Sequence, residues 1–89
     1  MEILKIASAG TMESSDVYVE IEPADQGVHV EVESVVAQQF GDAIRAAVLD
    51  VLQQQQVEKA NVRIVDRGAL ECVLRARVET AVQRGKGCV

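Results

Sequence analysis

Glu13-Ser14-Ser15-Asp16 sets two adjacent hydroxyls between two carboxylates. A serine there has three chemical uses: nucleophile, acceptor of a transferred group, or a local hydrogen bond that starts a strand. A nucleophile needs a base within hydrogen-bond reach, and His29 is the sole histidine. A Ser14, His29, Asp16 triad would have to form across two strands, and a lone histidine on a wet strand face is ordinarily just solvated. The plainer readings are a strand-starting Ser15 beside a merely soluble Ser14, or a phosphorylation site.

Other reactive side chains assemble even less. Zinc takes about four Cys, His or carboxylate ligands, whereas His29, Cys72 and Cys88 share no local spacing. Two cysteines are also too few for a disulfide framework. Gly85-Lys86-Gly87 lacks the spacing of a phosphate-binding loop, and Cys88 stands too near the end for a prenylation box. Glu20, Glu22, Glu31 and Glu33 read as ordinary solvated carboxylates.

The elements that must hold Ser14 follow from periodicity. Val17, Val19 and Ile21 alternate with Tyr18, Glu20 and Glu22, which predicts a half-buried strand. Carried backward, that parity turns Ser15 toward the core and Ser14 toward solvent. Pro23 to Gly27 is turn chemistry, and Val28, Val30 and Val32 then alternate with His29, Glu31 and Glu33, so the two runs predict a β-hairpin.

Ser34 is placed to cap a helix running to Gln56, whose apolar stripe is Phe40, Ile44, Val48, Val51 and Leu52. Gly41 inside it marks a close backbone approach to sheet or partner. Val62 to Val65 resumes strand character. After the Asp66-Arg67-Gly68 turn, Leu70, Cys72, Leu74, Ala76 and Val78 alternate with charged residues, a second hairpin strand that buries Cys72. A helix over Ala69 to Arg84 is the competing reading, since Leu70, Leu74, Val78 and Ala81 share a face. It leaves Cys72 outside and puts Arg77 on the buried stripe, so the strand, followed by a short helix from about Glu79, is preferred.

The expected fold is α+β. It is a single small domain with an antiparallel four-stranded sheet in ββαββα order and one main helix on the apolar face, spanning residues 1–84, with a flexible tail at 85–89. Glu20, Glu22, Glu31 and Glu33 are expected to meet Arg63, Arg75 and Arg77 across its outer face.

Bulk composition narrows the function. Lys and Arg total 9 against 14 Asp and Glu, a formal charge of −5 over 89 residues, the wrong sign for nonspecific binding to phosphate backbones. Tyr18 and Phe40 are the sole aromatics, so base stacking is unsupported. MEILKIASAG is too short and too interrupted for a signal peptide, and no run approaches a membrane span. A cytoplasmic location is expected.

Three stretches then point to a family: Ala9 to Val17 with Ile21-Glu22-Pro23-Ala24, Gln39-Phe40-Gly41, and Asp66 to Glu79. Together, in order, they resemble the citrate lyase acyl carrier proteins, the gamma chains. The resemblance implies that Ser14 carries a 2'-(5''-phosphoribosyl)-3'-dephospho-coenzyme A arm through a phosphodiester, and that the arm's thiol holds acetyl or citryl groups. It implies the citrate lyase alpha and beta chains as partners, with a prosthetic-group transferase and an acetate ligase, and no catalytic group or metal on the carrier itself.

In that role Gly10 would give the serine loop its freedom, while Glu13 and Asp16 would repel the arm and steer it toward basic grooves. Arg67 stands where the family usually has lysine. The malonate decarboxylase carrier subunit is the neighbouring alternative, which Gly68 to Arg77 argues against. An unmodified α+β interaction module is the rival from another class.

Overall fold

The computed structural model describes residues 2–34 and 37–87, with backbone alone for 37–39. Six elements follow one another: β1 (Ala7–Gly10), β2 (Val17–Glu22), β3 (Val28–Ser34), α1 (Ala37–Gln54), β4 (Ala60–Asp66) and α2 (Glu71–Gly85). The four-stranded sheet and α+β class match expectation, but the order is βββαβα rather than ββαββα.

Alternation makes β2 a strand as read, with Val17, Val19 and Ile21 buried to within 1% exposure. Its partner is not β3. The sheet order is β1-β2-β4-β3, with β2 antiparallel to β1 and β4, and β3 parallel to β4. The first predicted hairpin therefore does not form, and the sheet is mixed rather than antiparallel. A parallel neighbour requires a crossover connection, which α1 supplies between β3 and β4. Alternation reports which face of a strand is buried, not which strand lies beside it.

The second predicted hairpin is absent too, because residues 71–85 form α2. Leu74, Val78, Ala81, Val82 and Gly85 are its buried face, so the competing helical reading is the one realised. Cys72 is exposed rather than in the core. Arg77 escapes burial by leaning out to an ion pair with Asp16. Arg75 likewise belongs to the helix layer, bonding Asp50 at 2.6 Å and Glu71 at 3.1 Å, and not to the outer face of the sheet. There Arg63 alone stands among the acids, in register between Glu20 and Glu31.

Both helices cover the same sheet face, α1 packing on β3 and α2, and α2 on β1 and β2. Ile44, Val48, Val51 and Leu52 of the α1 stripe are buried, whereas Phe40 is 52% exposed. The core is aliphatic throughout, as composition implied. Ser34 ends β3, and its hydroxyl donates to Asp66 Oδ2 at 2.8 Å; the start of α1 that it is expected to cap adjoins residues 35 and 36, which lie outside the described residues. Gly85 is buried and accepts from the Leu4 and Lys5 amides at 2.9 and 3.1 Å, so the tail cannot begin there. Cys88 and Val89 lie outside the described residues.

Candidate attachment site

Ser14 sits at the tip of the β1–β2 connection. The Asp16 amide donates to the Glu13 carbonyl at 3.1 Å, closing a β-turn in which Ser14 and Ser15 are the central pair. Ser15 takes φ +66, the left-handed region. Its amide donates to the Arg67 carbonyl at 2.8 Å, and the Arg67 amide donates to the Asp16 carbonyl at 2.9 Å. Two residues of one strand thus oppose one of the other, a β-bulge that aims the turn outward at the end of the β2–β4 ladder.

Both serines are exposed. Strand parity put Ser15 on the core side, and the structure corrects this: β2 begins at Val17, so alternation does not extend through the bulge. Ser14 is solvent-facing, and its hydroxyl has no hydrogen-bond partner among the described residues.

Asp16 is the keystone of the turn. Its Oδ2 accepts from Thr11 Oγ1 at 2.7 Å and Arg77 Nη2 at 3.1 Å, while Oδ1 accepts from the Val17 amide at 2.7 Å and Arg77 Nε at 3.3 Å. The Thr11 hydroxyl, then the Val17 amide and Arg77, hold the carboxyl down from 3.8 to about 2. Thr11 Oγ1 also accepts from the Glu13 amide at 3.2 Å. Asp16 is therefore matched by a cation, and Glu13 is the exposed carboxylate of the pair.

Gly10 also has a different role from the one expected. At φ +88, any Cβ there would overlap the Val17 carbonyl oxygen, so glycine permits a close backbone crossing at a fixed corner rather than loop freedom. The turn is braced, not loose.

No triad assembles. His29 pairs in register with Asn61, whereas the serine turn joins β4 beyond Asp66. At roughly 3.3 Å per strand residue, five steps separate them by about 16 Å. His29 Nε2 instead meets the Gln26 carbonyl at 3.0 Å. Among the described residues, no three His, Cys, Asp or Glu side chains could hold a metal ion, and no helix is long and apolar enough to cross a membrane.

Three contributors escaped the sequence reading. Thr11, five residues before Asp16, was within reach of a local hydrogen-bond argument. Arg77 lies 61 residues away, where no spacing rule reaches. Asp66, only 5% exposed, is a third: besides Ser34 it accepts from the Ala69 amide at 3.0 Å, fastening the turn into α2.

Two exposed serine hydroxyls on a braced turn, with His29 at the far end of the sheet, leave a small α+β domain in which neither serine has a base beside it. Comparison with known proteins agrees. Residues 5–85 match the family model described as ACP, malonate decarboxylase delta subunit (MdcD). The citrate lyase acyl carrier protein of Escherichia fergusonii is 59% identical over 85 residues, covering 94% of this chain and 88% of that protein. That of Serratia proteamaculans is 54% identical, covering 94% and 83%, and that of Edwardsiella ictaluri 52%, covering 100% and 92%.

In structure, a chain of a Pseudomonas malonate decarboxylase hetero-tetramer in complex with malonate superposes with a TM-score of 0.81 at 22% identity, covering 94% of this chain and 87% of that one, a likeness of fold. The chain belongs to the citrate lyase acyl carrier protein family. It is an acyl carrier subunit rather than a catalyst.

Proposed function

We propose that Ser14 is the attachment point of the prosthetic arm, bound through a phosphodiester as 2'-(5''-phosphoribosyl)-3'-dephospho-coenzyme A. The observation that carries this reading is the exposed, unpartnered Ser14 hydroxyl at the tip of a turn braced through the Ser15 amide and the Asp16 carboxylate. When bound, the arm supplies a thiol that holds acetyl and citryl groups as thioesters. The chain's own part is mechanical. Gly10, the bulge and the Asp16–Arg77 pair fix where the arm departs, and the modifying transferase supplies the base that takes the Ser14 proton.

The citrate lyase alpha and beta chains are the partners on this reading, with the transferase and an acetate ligase, in the cytoplasm. Tethering keeps the thioester at high local concentration near each partner site without a free-coenzyme binding step. A malonate decarboxylase-type carrier is the second reading, favoured by the matched family description.

Intact mass of the chain from cells growing on citrate, with fragmentation, tests the proposal. An adduct of the arm's mass on Ser14, lost in Ser14→Ala and kept in Ser15→Ala, is expected. A bare chain in cells actively cleaving citrate would overturn it.

A further inference from the structure

Between α1 and the start of α2 lies an apolar groove of about 340 Å³, lined chiefly by Phe40, Ala43, Ile44, Ala69 and Leu74. That volume falls in the ~300–1,000 Å³ range of small-molecule sites. The groove adjoins the serine turn through a single residue. Arg67 bonds Ser15 and Asp16 by its backbone, and its two chain neighbours, Asp66 and Gly68, both line the groove.

The charged side chains in this lining are the carboxylates of Asp66 and Glu71. Asp66 already accepts from Ser34 and Ala69, and Glu71 from Arg75. Among the described residues no cation lines the groove to receive an anion, so an occupant must be small and uncharged at its tip. Phe40, 52% exposed, is an apolar wall without a cover.

We infer that this groove receives the acyl end of the arm on Ser14 when the acyl group is acetyl, and rejects it when the acyl group carries free carboxylates. The inference rests on the carrier reading above and deepens it. An acetyl thioester gains by leaving water. A citryl thioester would bring its carboxylates against Asp66 and Glu71 without a counter-ion. The acetylated carrier then shelters its thioester, and the citryl form stays outward for transfer.

The test uses the arm-bearing chain, with the Ser14 adduct first verified by mass. Acetylating the thiol is expected to shift the amide resonances of Ala43, Ile44 and Ala69 but not of His29 or Glu31, and a succinyl thioester is expected to leave all five in place. Hydroxylamine should release acetyl roughly fourfold more slowly than from free acetyl coenzyme A, the factor for burying about one methyl-sized group. Ala43→Glu, at an exposed helix position, should abolish that protection.

Equal shifts for acetyl and succinyl, no shift at the groove, or release at the free-thioester rate would overturn the groove inference while leaving the adduct intact. Absence of any Ser14 adduct would instead remove the carrier reading and the inference with it.

Discussion

Ser15, not Ser14, carries the conformational strain of the serine turn. Its φ of +66 is a conformation that costs an ordinary L-residue about 1–2 kcal/mol, sustained here by the Arg67 carbonyl that its amide meets. The same substitution one position apart should thus behave differently. Ser15→Val, which adds a β-branch at a left-handed position, should lower stability to urea by about 1–3 kcal/mol. Ser14→Val, exposed and without partners, should stay within about 0.5 kcal/mol of the parent, and Ser15→Gly within about 1 kcal/mol. Sequence alone put the Ser14 hydroxyl in solvent, where the structure has it, but wrongly set Ser15 apart from it, because a bulge breaks the two-residue period on which the parity argument stands.

Among elements, α2 shows how a local pattern can support two structures. Leu70, Leu74 and Val78 satisfy both a two-residue and a helical period, and Cys72 and Arg77 were the deciding residues. Both weighed the wrong way, since an exposed cysteine is tolerated and Arg77 has Asp16 to meet at 3.1 Å. That pair ties α2 to the serine turn. The Asp16 carboxyl is lowered to about 2 in the fold against roughly 3.9 in an unfolded chain. Its stabilisation is then complete above about pH 4 and is lost as pH falls through about 2. Asp16→Asn should accordingly be less stable than the parent near neutrality, and the gap should shrink as pH drops through this window, measured by urea unfolding at each pH. A gap that stays constant down to pH 2 would exclude the ionised brace.

At the scale of the whole molecule, the central strand is β4, which arrives fifth of six elements and inserts between β2 and β3. The N-terminal segment closes the opposite side: Ile3, 4% exposed, packs in the core while Leu4 and Lys5 donate to the last residue of α2. Gly85 makes that closure possible, because a Cβ there would already lie 3.1 Å from Ile21 Cγ2 and 3.3 Å from Ile3 Cγ2. Gly85→Val, with two further methyls and no space for them, should cost about 1–3 kcal/mol. Hydrogen exchange at the Leu4 and Lys5 amides should rise with it, and unchanged exchange there would show that the segment is held by something else.

What the sequence by itself determined is local or compositional: an aliphatic core, the β2 and β3 alternations, the strand character of β4, most of the α1 stripe, an exposed Ser14, and motifs at distances that mark the family. Tertiary structure decided the rest. Whether β3 pairs with β2 or β4, whether residues 71–85 coil or extend, and what Asp16 and Asp66 hold are contests between partners far apart in the chain. Those contests are settled by burial and by hydrogen bonds such as Asp16–Arg77, 61 residues apart, whose two halves carry no mark of each other until the chain has folded.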